Sequence, residues 1–204
     1  MKQITPRPYF SYSQMSSYKW SKQRFLETYY YGKRQESVYL DMGKKLGEAL
    51  QFRKVKRSKV IEKIKAQIPP SDIYEKELKV NFKKIPLLGF ADGWDKDCEL
   101  VEYKTGKKPS ESSWRNQMKF YSLMIYLLTK KLPKKITLYW CRTKFNENEQ
   151  LILTGDVKKH DIKIELGDII VFSAEITKVW GEIKDLCELE YNQFGILPKN
   201  IKKK

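Results

Sequence analysis

At 204 residues the chain has room for one folded unit with a real core but not for two comfortable ones, and 41% hydrophobic with 13% aromatic residues excludes a disordered polyelectrolyte. The formal charge of +16, from 41 Lys and Arg against 25 Asp and Glu, produces a long-range field that attracts polyanions, nucleic acid foremost. The longest apolar stretch, Phe120 to Leu128, falls far short of the roughly 20 residues that span a bilayer, so no membrane partner is expected.

In chain order, Ser11-Tyr12-Ser13 offers hydroxyl caps ahead of Met15, Tyr18, Phe25 and Tyr29, whose spacing predicts a helix to about Tyr30. A second helix is expected over Val38 to Arg53, and a third amphipathic one from Arg53 to Lys65, ended by Pro69-Pro70. Strands are then expected at Glu77 to Phe82, Leu87 to Trp94 and, after a short Asp-rich turn, Glu99 to Lys104. Trp114, Met118, Tyr121, Met124, Ile125 and Leu128 follow a helical period within Ser112 to Lys131, stopped by Pro133. Ile136 to Thr143 reads as a strand, Asn146-Glu147-Asn148-Glu149 as a hairpin turn, and Leu151 to Ile164 as one or two returning strands. A last helix, about 174–194, is marked by Ile176, Val179, Trp180, Ile183, Leu186 and Cys187, before the polar tail Lys199 to Lys204.

Chemistry concentrates at two neighbouring strands. Leu87-Leu88-Gly89-Phe90-Ala91-Asp92 ends in a carboxylate, and Glu102-Tyr103-Lys104-Thr105-Gly106 begins ten residues later. Because side chains alternate along a strand, Glu102 and Lys104 share one face while Val101 and Tyr103 share the other. An Asp from the adjacent strand meeting Glu102 would supply hard oxygen ligands for Mg2+, with an ammonium alongside. The acid-x-Lys pattern also occurs at Glu77, Asp156, Asp161 and Glu182. Only the copy at Glu102 follows a strand-terminal Asp, closes an apolar-alternating run and precedes a Thr-Gly turn leading to a strong helix. Taken alone, Asp92 and Glu102 would read as an ion-pair network around Lys104.

The remaining candidates for chemistry have plainer readings. Cys98, Cys141 and Cys187 are odd in number, widely spaced and without a Cys-x-x-Cys pair, which favours reduced thiols. The first residues lack the apolar core of a secretory signal, which makes a cytoplasmic location the expectation. His160, in the polar run Lys158-Lys159-His160-Asp161, reads as a strand edge or exposed loop. Trp94 and Trp114 could stack on bases, although burial is the more common fate of such residues. No nucleotide-binding Gly-rich loop is present, so any helicase activity would belong to another chain.

The order helix, three strands, helix, strand, with Asp92 on the second strand and Glu102-x-Lys104 on the third, resembles the PD-(D/E)XK nuclease superfamily, in particular its RecB-like branch (CRISPR-associated and AddB-type exonuclease-like). The likeness runs from about Ser11 to Tyr191 and includes Ser11-Tyr12-Ser13 near the start and Gln117 followed four residues later by Tyr121. It implies an α/β restriction-endonuclease-like domain over 1–204: a helical part at about 11–68, a catalytic core at about 75–165 with a mixed sheet of four to six strands flanked by helices (αβββαβ), and the carboxy-terminal helix. It further implies a Mg2+- or Mn2+-dependent deoxyribonuclease, exonuclease-like, in DNA repair, recombination or phage and CRISPR DNA processing, with DNA as substrate and a helicase or recombination protein as a possible partner. Asp92, Glu102 and the carbonyl of Tyr103 would hold the metal, Lys104 would orient water or neutralise charge, and Gln117 and Tyr121 would position the substrate.

Two departures stand out. Relatives that carry an iron-sulfur cluster have a Cys-Pro where this chain has Trp20-Ser21, and three further Cys near the end where it has Cys187 alone, so no cluster is expected. Where the branch places a metal-binding His in Gly-x-x-x-His-Glu, this chain reads Gly43-Lys44-Lys45-Leu46-Gly47-Glu48. Glu48 lies about 100° further round the helix and either reaches the metal or pairs with Lys44 or Lys45, while Gly43 and Gly47 would let the helix approach its neighbour. A catalytically impaired binding module of the same fold is the alternative function.

Overall fold

The computed structural model describes residues 5–33, 36–52, 58–95, 98–108 and 110–199. Its centre is one five-stranded sheet in the order β1 (Ile73–Phe82), β2 (Ile85–Asp95), β3 (Glu99–Gly106), β4 (Lys135–Phe145) and β5 (Leu151–Asp161). Neighbours are antiparallel except β3 and β4, which run parallel because α5 (Glu111–Thr129) carries the chain back between them. The mixed sheet flanked by helices agrees with the expected architecture, and every expected strand is present, each with its ends shifted by a few residues at most except β1, which begins four residues earlier. The segment Leu151 to Ile164 holds a single strand, which ends at Asp161.

Helices cover both faces. One face carries α5 and α6 (Leu166–Phe194) with α1 (Tyr12–Trp20), burying Leu78, Leu87, Leu100 and Ile136 of the sheet against Met118, Phe120 and Ile176. The other carries α3 (Val38–Phe52) and α4 (Lys59–Lys65), whose Leu46, Leu50 and Ile64 pack on Val101, Tyr103 and Tyr139. At roughly 1.5–3 kcal/mol for each fully buried large aliphatic or aromatic side chain, these two layers hold the sheet rigid from both sides.

The first helix differs from the expectation. It starts as expected, with a capping box in which the Ser11 hydroxyl receives the Gln14 N–H and Gln14 Oε1 receives the Ser11 N–H. It breaks at Ser21, whose backbone is extended (φ −162°) and whose hydroxyl caps the short α2 (Lys22–Phe25), followed by a π-helical turn, Leu26–Tyr30. Ser21 competes with the helix it interrupts by capping the next one. The segment is tied down by Phe10, which exchanges backbone hydrogen bonds with Pro86 and Leu88 of β2.

The last helix is also longer than expected: it begins at Leu166, where Glu165 and Asp168 form a capping box, and Ile169 and Phe172 extend its buried stripe. α4 begins at Lys59; the Arg53 start expected for it, the middle of the Asp-rich turn and the tail beyond Lys199 lie outside the described residues. Among the described residues no helix is long and apolar enough to cross a membrane.

Candidate active site

Asp92 stands where the sheet lapses. The β1–β2 ladder pairs Tyr74 with Gly93 and Lys76 with Ala91 and leaves Asp92 out, while the β2–β3 ladder ends at Gly93 and Val101. Released from both, Asp92 turns its carboxylate on β3 and accepts the Tyr103 N–H at 2.8 Å through Oδ2. A side chain thus replaces the backbone acceptor that a continued ladder would provide. The β1 residue at this level, Glu75, has a left-handed backbone (φ 51°), a conformation that costs a side-chain-bearing residue of order 1–3 kcal/mol and tends to accumulate at functional sites.

On β3 the alternation holds. Val101 and Tyr103 pack under α3 and α4, and Glu102 and Lys104 face the α5 side. Glu102 is only 1% exposed. Its Oε1 accepts Lys104 Nζ at 2.5 Å and Gln117 Nε2 at 2.7 Å, while Oε2 is buried without a hydrogen-bond partner. Gln117 Nε2 also reaches the Tyr121 hydroxyl at 3.1 Å, which donates to the Phe90 carbonyl at 2.8 Å. The two α5 residues, one turn apart, therefore link β3 to β2 directly behind the carboxylates. Gly89 makes this possible: a Cβ there would lie 2.7 Å from Tyr121 Cε1, closer than a buried ring can yield.

Burial raises the pKa of Glu102 to about 7, with the Asp92 charge adding to the rise and Lys104 and Gln117 opposing it. Burial likewise raises Asp92, against Lys104 and the Tyr103 N–H. For Lys104 burial favours the neutral amine, but the two carboxylates outweigh it and hold the ammonium above its usual range. Two carboxylates thus share one ammonium, and ionising both leaves net negative charge in a low-dielectric site. Together with the orphaned Glu102 Oε2, this donor set fits a hard divalent cation. Among the described residues, no three His, Cys, Asp or Glu side chains stand close enough to one another to bind an ion by themselves.

Lys104 lies at the junction of two cavities. One, about 640 Å³, is lined by Glu48, Glu75, Asp92 and Tyr103. The other, about 860 Å³, runs from Lys104 and Gln117 beneath α1 toward Arg24 and Lys33. Glu48 is solvent-exposed and pairs with Lys44 at 3.9 Å, and it also lines the cavity to which Asp92 contributes. The close-approach reading of Gly47 is corrected, since a Cβ there would meet nothing within 4 Å, and one at Gly43 would touch Thr105 Oγ1 only at an ordinary 3.7 Å.

Trp114 is buried with Leu138 and Trp140 and lies edge-on to His160, while Trp94 is partly buried against the main core. Cys141 and Cys187 are buried free thiols, each pushed up to about 12 by burial. Two residues escaped sequence reasoning. Glu75 lies before the stretch of β1 whose pattern is regular, and only its strained backbone marks it. Trp20, 79% exposed at the end of α1, was hidden inside a predicted continuous helix.

The fold is similar to that of a solved structure from Eubacterium rectale named "Putative exonuclease", with 9% identity over 87% of this chain and 82% of that chain, at a TM-score of 0.59. An alkaline exonuclease from Laribacter hongkongensis also matches, with 11% identity, 91% and 93% coverage and a TM-score of 0.48. At 9% identity the likeness to the first of these is one of fold. No family model matches the sequence, and no curated protein does.

Proposed function

We propose that this protein is a metal-dependent nuclease that hydrolyses DNA phosphodiester bonds, exonuclease-like and of the RecB-like PD-(D/E)XK type. The observation that carries the reading is the buried Glu102 and the half-buried Asp92 sharing Lys104, with Glu102 Oε2 unpartnered and Lys104 at the junction of an acid-lined and a base-lined cavity. Asp92, Glu102 and the Tyr103 carbonyl would hold one or two Mg2+ or Mn2+ ions, with Glu48 on the wall of the same cavity. A bound ion supplies Lewis acidity toward the phosphate and a more acidic water.

The chain's own groups account for the rest. Lys104 places a positive charge where the phosphate oxygens become more negative. Gln117 holds the Glu102 carboxylate by donating to its Oε1, and Tyr121 ties Gln117 to the Phe90 carbonyl. The +16 charge draws the polyanion to the surface. The work fits one domain acting in the cytoplasm on DNA in repair, recombination or defence against foreign DNA, with a helicase as a possible partner.

The open space at Gly47 and the pairing of Glu48 with Lys44 favour a second reading, a binding module whose metal centre is impaired. End-labelled single- and double-stranded oligonucleotides incubated with and without Mn2+ separate the two. The nuclease shortens them only with metal; the module binds them and leaves them intact.

A further inference from the structure

The second cavity differs from the first in the sign of its wall. Arg7, Arg24, Lys33 and Lys104 line it, and no Asp or Glu does among the described residues. Hydroxyls fill the intervals: Ser13, Ser16 and Ser17 from α1, Ser113 from the start of α5, and Thr28, whose Oγ1 is buried without a hydrogen-bond partner. Cations interleaved with small hydroxyl donors make a surface that follows a phosphate backbone. The groove is held open by built contacts, the Tyr12 hydroxyl donating to the Ser113 carbonyl at 2.9 Å and the Arg7 guanidinium lying over the Tyr29 ring at 5.0 Å.

On the rim of this groove stands Trp20, the most exposed large hydrophobic side chain described, at 79%. An indole presented beside a cationic track offers a face to a base, and a base can reach it only if it is unpaired. The groove adjoins the site. Lys104 and Gln117 line it, and Lys104 also lines the acid-lined cavity that holds Asp92.

We propose that this groove binds single-stranded DNA, with a base stacked on Trp20 and the backbone led past Arg24 and Ser113 to Lys104. The inference rests on the nuclease reading for what happens at the far end, but the groove itself can be tested without catalysis. Fluorescence anisotropy of a labelled oligothymidylate of about 12 nucleotides, recorded in EDTA, reads binding alone.

Trp20→Ala is expected to weaken binding about 5- to 150-fold without shifting the melting temperature, because stacking on an aromatic is worth about 1–3 kcal/mol per base. Trp20→Phe should restore most of that loss. Arg24→Ala should make the salt dependence of binding shallower by about one phosphate contact. A duplex or single-stranded RNA of the same length bound as tightly as the oligothymidylate, or Trp20→Ala binding like the parent protein, would overturn the proposal. Binding as described with no cleavage in Mn2+ would leave the groove standing and remove the nuclease; cleavage indifferent to Trp20 would do the reverse.

Discussion

Lys104 Nζ and Glu102 Oε1 meet at 2.5 Å across one intervening residue of β3, and the Lys104 side chain, 27% exposed, covers a carboxylate that is itself sealed from solvent. Removing one partner of such a pair strands the other. Lys104→Ala should therefore lower the stability of the metal-free protein by about 3 kcal/mol, because the buried Glu102 carboxylate loses the ammonium it shares with Asp92, whereas Glu102→Gln, which keeps the shape and discards the charge, should cost under about 1 kcal/mol. Both should abolish cleavage. Chemical denaturation read by tryptophan fluorescence, alongside the cleavage assay, checks the contrast.

Stability should depend on pH with a sign set by Glu102. Its folded pKa of about 7 lies above the ordinary 4.5, so between these values the folded protein binds more protons than the unfolded chain. Stability contributed by the protonated form is complete below pH 4.5 and lost as pH rises through 7, by about 3 kcal/mol if Glu102 alone is counted. Asp92, also raised, works in the same direction. Melting temperatures in EDTA should fall across this window, and Glu102→Gln should flatten the fall.

Gly89 sets the position of Tyr121. Gly89→Ala should displace the ring and loosen Gln117 from Glu102, costing about 1–3 kcal/mol by overpacking and lowering the rate of cleavage. Tyr121→Phe removes the hydroxyl and keeps the ring, so it should retain most of the stability while losing the Phe90 contact. Comparing the two by melting and by turnover separates the packing of the ring from the work of the hydroxyl.

Glu48 lines the cavity with Asp92 and belongs, on the nuclease reading, to the metal's surroundings. Glu48→Ala should weaken Mn2+ binding about tenfold, an effect of the size seen for groups that support a metal's ligands. Its pairing with Lys44 on the helix surface is worth about 0.5 kcal/mol at most, so the melting temperature in EDTA should barely move.

Much of this arrangement was legible in the order of residues. The alternation of Glu102 and Lys104 against Val101 and Tyr103, and the one-turn spacing of Gln117 and Tyr121, are properties of a strand and a helix that hold wherever those elements pack. What stayed hidden depended on local competition or on tertiary space. Ser21 caps one helix by ending another, which a continuous apolar period from Met15 to Tyr29 conceals. Asp92 replaces a backbone acceptor because two ladders lapse together, and Glu75 adopts φ 51° beside it, neither of which any pattern of apolar residues encodes. The emptiness around Gly47 and the exposure of Trp20 are facts of packing, visible only once the neighbouring elements are in place.

Calorimetric titration of Mn2+ into the protein addresses the centre of the account, the claim that Asp92 and Glu102 hold a hard cation. A saturable binding heat is predicted, with affinity rising as pH increases toward 7 because the ligands must lose their protons, and it should disappear in Asp92→Asn and in Glu102→Gln. No saturable heat, or the same heat in the parent protein and both variants, would contradict it.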